Sequence, residues 1–139
     1  SEPFGPYGAA LREGYRPTAA VPAGDSVSFS IATPMATWQG WNALTRTGGS
    51  AASADDDMTM RAQHELASRD GVFLEASSAT AVAVLPELIA RGDVSADESV
   101  VLLGTSSGLK DVPTTAARLP DVPVIGPDMA DLLSAIGEA

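Results

Sequence analysis

Apolar positions along the chain follow a helical rhythm in several stretches and collapse into short continuous runs in others. Pro6 to Gly14 suits a short helix, with Leu11 inward and Gly14 as its stop. Tyr15 to Gly24 reads as loop, because Pro17 and Pro22 block regular structure. Val27, Phe29 and Ile31 alternate with serines. That spacing suits a short extended segment with one buried face, and a helical reading stays open beside it. Thr37 can cap a helix carrying Trp38, Trp41 and Leu44 on one face, ended by Gly48 and Gly49. Ser53 followed by Asp55, Asp56 and Asp57 reads as the start of a helix reaching about Arg69, with Met58, Ala62 and Leu66 inward. Val72 to Leu74 reads as a buried strand. Ser77 or Ser78 then caps a helix through Ala81, Leu85, Leu88 and Ile89, with Pro86 as a kink or late start. Ser99 to Leu103 and Pro123 to Ile125 read as two more buried strands, and Pro127 opens a last helix over Asp128 to Ile136 with Met129, Leu132, Leu133 and Ile136 inward.

Strands alternating with helices in the second half predict an α/β chain with a parallel, doubly wound sheet and flanking helices. In such sheets ligands bind beyond the carboxyl ends of the strands. Two loops leave strands here: Glu75-Ala76-Ser77-Ser78 and Gly104-Thr105-Ser106-Ser107-Gly108. Their small residues allow close backbone approach, and their hydroxyls supply donors and acceptors. The alternative is that both are simply well-capped turns.

Composition narrows the classes. At 139 residues and 45% apolar, the chain suits one domain with a packed interior. Its net charge of −10, with only eight cationic residues scattered along it, argues against nucleic acid and anionic lipid as partners. There is no cysteine, which removes disulfides, thiol catalysis and Cys-based zinc sites. No apolar run approaches the roughly 18–20 residues of a membrane span, and no leader is evident, so the expected location is the cytoplasm. Ser1 in place of an initiator Met carries the expectation of a processed or cleaved start. The one Lys is Lys110 and the one His is His64.

The loop Gly104 to Gly108 fits the G-x-S-x-G form of a hydrolase elbow, with Ser106 as nucleophile. No His follows it, and a serine without a base is a poor nucleophile, so this reading is remote. The Asp55–Asp57 run does not predict a metal site, because consecutive helix residues do not face one another. His64 reads as a surface residue, and the two Trp as packing residues rather than a stacking platform.

At the same loops the chain resembles threonine synthase-like members of the fold type II pyridoxal-phosphate enzymes. Asp70 to Ala79 (DGVFLEASSA) is similar to the family's EGIFVEPASAAS block, and Ser99 to Asp111 (SVVLLGTSSGLKD) to its VVVLTGHGLKD block. Ser30 to Pro34 followed by Trp38 looks like the family's RIGNPxxW, Val124 to Ile136 like its closing strand and helix, and Ser1-Glu2-Pro3 like the stretch after a strand of the larger domain. Departures stand at Ser30, Ala32, Thr33, Ala76 and within Thr105 to Gly108, and they leave the substrate open.

The resemblance implies pyridoxal 5'-phosphate as cofactor. It places Thr105 at the ring nitrogen, Glu75 and Ser106 near the cofactor, and Ala32 and Thr33 at the substrate pocket. A neutral hydroxyl leaves the ring nitrogen largely unprotonated, which suits β-elimination and replacement. The family's carrier lysine and phosphate-binding glycine loop are not matched here. Lys110 matches the GLKD lysine, which is not the carrier. Residues 1–139 are therefore expected to be a single C-terminal segment of the large cofactor-binding domain, inactive alone. It would be completed by an N-terminal chain that binds the cofactor covalently through its own lysine, in a higher homo- or hetero-oligomer. The implied activity is that of a lyase acting on an amino acid by β/γ-elimination or replacement, by threonine synthase chemistry or that of a relative such as a phosphoserine-using synthase or a Ser/Thr dehydratase. The competing class is a non-catalytic stabilising or regulatory domain on the same fold.

Overall fold

A computed structural model describes residues 5–16, 19–22 and 24–137. The Ser1-Glu2-Pro3 match and the Pro17 break lie outside the described residues. Among the described residues six helices follow in order: α1 Pro6–Glu13, α2 Trp38–Thr47, α3 Asp56–Asp70, α4 Ala76–Ala90, α5 Val112–Ala116 and α6 Met129–Ala135. A 3-10 turn, Gly108–Asp111, leads into α5.

The caps show why these segments are helical. Thr37 takes the free amide of Gly40 into its hydroxyl, as its position predicts. In α3 the cap is Asp55, not Ser53: its carboxylate accepts from the Met58 amide at 2.7 Å. The next residue, Asp56, turns away and takes up the Val27 amide and the Ser26 hydroxyl. Gly71 ends α3 in the left-handed region at φ 69°, where a Cβ would be strained. Glu75, not Ser77 or Ser78, holds the cap position of α4, and its side chain makes no cap bond because it is engaged elsewhere. Pro86 sits within α4, which runs on to Ala90 past it.

The centre of the structure is the packing of α3 on α4. Both helices are rotated from the expected faces. Buried on α3 are Thr59, Met60 and Gln63, while Met58, Ala62 and Leu66 line an open cleft with Val82 and Pro86. Buried on α4 are Ala76, Ser78, Ala79 and Ala83; Leu85 and Leu88 are only half-buried. Two causes are visible. The alanines at i, i+3 and i+7 let α3 approach closely. Gln63 must face inward because its amide donates to the Leu74 carbonyl at 2.7 Å and accepts from the Thr115 hydroxyl at 2.9 Å. Val27 completes a small core with Met60 and Ala76. Residues 27–31 form a turn, not an extended segment; Val27 is buried while Phe29 and Ile31 point outward. Trp38 is likewise exposed, and Trp41 stacks on Tyr15 at 5.5 Å.

The described residues contain no strand. One antiparallel bridge joins Leu74 to Ser107. The expected parallel sheet is thus not formed by these residues. A strand satisfies its amides and carbonyls only across a ladder, and the apolar runs here have no neighbour to pair with. Val101 is 85% exposed and Val124 fully exposed. Helix α6 lies outside the core too, with Met129, Leu132 and Ile136 exposed. No helix among the described residues is long and apolar enough to cross a membrane.

Candidate cofactor and substrate loops

The two loops singled out from sequence meet at the first turn of α4. The Glu75 amide donates to the Ser106 carbonyl at 3.0 Å, and the Gly108 amide to the Phe73 carbonyl at 2.9 Å. Ser78 is buried, and its hydroxyl links two residues of the glycine-serine loop. It bonds Thr105 Oγ1 at 3.1 Å and accepts the Ser106 amide at 3.0 Å. Thr105 itself is exposed, its hydroxyl fixed on one side by Ser78. Glycine is needed at 108 for space: a Cβ there would stand 2.4 Å from the Phe73 ring.

Glu75 is 2% exposed, and three side chains hydrogen-bond its carboxylate. The Ser30 hydroxyl donates to Oε1 at 2.6 Å. Lys110 Nζ donates to both oxygens at 3.1 Å and also to Ser30 Oγ at 2.7 Å. Ser77 adds a longer contact at 3.5 Å. The Ser30 bond is the main reason that the carboxyl is held below its ordinary range. Burial opposes this, and Lys110 and Ser106 reinforce it. Lys110 Nζ also lies 5.2 Å from the centre of the Phe29 ring, within cation–π range.

Glu75, Thr105 and Ser106 are therefore neighbours, as expected. Ala32 and Thr33 are exposed and line a different feature, a cleft of about 360 Å³ with Ser28, Thr80 and residues of α1. Thr105 is not among that cleft's walls. The connection between the two places runs through Ser30 and Glu75. Lys110 joins these residues although it was not counted among the candidate site residues; its match to a lysine after a glycine loop was visible, but its partner 35 positions earlier was not. His64 is exposed on α3 and lines a cleft with Arg61 and Arg118, so it gives Ser106 no base. No group of three or more metal-ligating side chains occurs among the described residues.

These residues fit part of a pyridoxal-phosphate site. An exposed hydroxyl held by one buried partner keeps bonding capacity for a heteroaromatic nitrogen. The single lysine is occupied by a buried carboxylate and is a poor candidate for carrier.

Comparison with known proteins agrees with the motifs. Residues 5–106 match the family described as pyridoxal-phosphate dependent enzymes. Threonine synthase of Methanocaldococcus jannaschii is 32% identical over 99 residues, 71% of this chain and 24% of that protein. Threonine synthase of Methanosarcina acetivorans is 32% identical over 100 residues, 72% of this chain and 24% of its own. That of Mycobacterium leprae is 31% identical over 111 residues, 80% and 30%. The chain thus spans a quarter to a third of the length of these curated relatives. With more than half of its length matched, the chain belongs to the pyridoxal-phosphate dependent enzyme family.

Proposed function

We propose that this chain supplies the ring-nitrogen side of the cofactor site in a threonine synthase-like lyase, and that a complementary N-terminal chain supplies the carrier lysine and the phosphate loop. The observation that carries the reading is the pairing of Lys110 with Glu75. It takes the sole lysine of the sequence out of contention as carrier, while Thr105 stays exposed and bonded to Ser78.

When bound, the cofactor supplies an electron sink for bond breaking at the amine-bearing carbon of an amino acid. The work of this chain is binding and orientation. Thr105 would hold the ring nitrogen through a neutral hydroxyl, and Ser78 holds that hydroxyl in place. The Glu75 carboxylate is spent on Ser30 and Lys110, so it serves as a fixed charge rather than a proton carrier. Ala32 and Thr33 would contact the substrate. The exposed runs around Val101 and Val124 would enter a parallel, doubly wound sheet with strands of the complementary chain, burying apolar surface that is a liability alone. The whole is a soluble heteromer acting by β/γ-elimination or replacement.

Native purification tests this. Intact mass should reveal a second chain, and the complex should carry visible cofactor absorbance. A single colourless monomer of this chain's mass contradicts it.

A further inference from the structure

The cluster of Ser30, Glu75 and Lys110 joins three distant parts of the sequence at one point. Ser30 lies in the turn that leads to Ala32 and Thr33, Glu75 stands at the N-terminal end of α4, and Lys110 lies in the 3-10 turn after the Thr105 loop. The separations are 45, 35 and 80 positions. Resting on the reading that Thr105 faces the cofactor and Ala32–Thr33 the substrate, we propose that Lys110, Glu75 and Ser30 form a latch that couples the position of one loop to that of the other.

The argument is one of shared anchorage. On the substrate side, the Ser30 hydroxyl binds the Glu75 carboxylate and the Ser30 amide donates to Ser77 Oγ at 3.2 Å. On the cofactor side, Ser106 is held by the Glu75 amide and by Ser78, and Thr105 by Ser78. Residues 75–78 thus hold both loops. Lys110 closes the ring by touching Ser30 and Glu75 together. A buried carboxylate left without its partners carries a large desolvation cost. Loss of Lys110 therefore strains both contacts of Glu75 at once, and a shift of either loop is felt by the other. Lys110 and Ser30 are positioning residues in this scheme. Neither needs to reach the reacting atoms.

The test uses the natively purified protein, together with any chain that accompanies it, by amide hydrogen exchange. The reporters are hydrogen-bonded amides in each loop: Ile31 and Ala32 in one, Ser106 and Gly108 in the other. In Lys110→Gln and in Ser30→Ala, both pairs should exchange about tenfold faster, while amides in the middle of α3 keep their rates. Lys110→Arg, which keeps the charge, should restore most of the protection in both. Change in one loop only, an equal rise in α3, or no difference between Arg and Gln at 110 would overturn the latch. A measurement on the unmutated chain guards against variants that do not fold. Lys110 is the charged group bonded to Glu75, and Ser30, Ser77 and Ser106 are the neutral ones acting on it. Titration of the Glu75 carboxyl by carbon NMR should move amide signals in both loops at one common midpoint; separate midpoints overturn the coupling. Neither experiment needs cofactor. Loss of the proposed function, seen as colourless native material, would leave these results unchanged.

Discussion

Lys110 reaches Glu75 across 35 positions of sequence and bonds both of its carboxylate oxygens at 3.1 Å, although the lysine is about half exposed and the glutamate is buried. The asymmetry decides what the pair does. An exposed lysine loses little by leaving water partly. A buried carboxylate loses a great deal if left alone.

Lys110→Gln should therefore destabilise the chain by about 1–2 kcal/mol. That is less than the roughly 3–5 kcal/mol of a fully buried broken pair, because solvent still reaches Nζ and Ser30 remains bonded. Urea denaturation of the two proteins side by side gives the difference.

Stability should fall on acidification, with Glu75 as a main source. Its folded pKa lies below the ordinary value of 4.5, chiefly through the Ser30 bond. The stabilisation is then fully present above the unfolded pKa, and it is lost as pH falls through the lower folded value. The urea midpoint should drop as pH falls below the ordinary carboxylate value of 4.5, and Glu75→Gln should flatten that slope. An equal slope in both proteins would place the acid sensitivity elsewhere.

Asp55 and Asp56 should differ despite being adjacent. Asp55→Ala removes one helix cap and should cost about 1 kcal/mol. Asp56→Ala removes the bonds to Ser26 and to the Val27 amide, loosening a member of the core, and should cost more. Thermal melts of the two variants rank them.

Gly108→Ala should be poorly tolerated although the residue's backbone is not left-handed. The added methyl would meet the Phe73 ring at 2.4–2.5 Å, so the ring or the loop must move. A loss of about 1–3 kcal/mol is expected. Phe73→Leu in the same background should recover part of it if the clash is the cause.

Part of this was legible in the sequence, for physical reasons that can be named. Thr37 and Gly48 bound α2 as read, because capping is local chemistry, and α3 ends one residue past the expected Arg69. The meeting of Glu75 with the loop that carries Thr105 was also expected, since each loop follows a short apolar run and both were read as one candidate site. The choice among Ser53, Asp55 and Asp56 as cap was not readable, because it depends on the Val27 amide 29 positions away. The inward turn of Gln63 was hidden for the same reason: its partners, Leu74 and Thr115, lie 11 and 52 positions further along the sequence. The runs at Val101 and Val124 read as strands by composition, but a ladder needs a neighbour that these residues do not supply.

The central claim concerns which lysine carries the cofactor. Borohydride reduction of natively purified material, followed by peptide mapping, tests it most directly. The account predicts a pyridoxyl-lysine on a complementary chain, with Lys110 unmodified. A pyridoxyl group on Lys110 would contradict it.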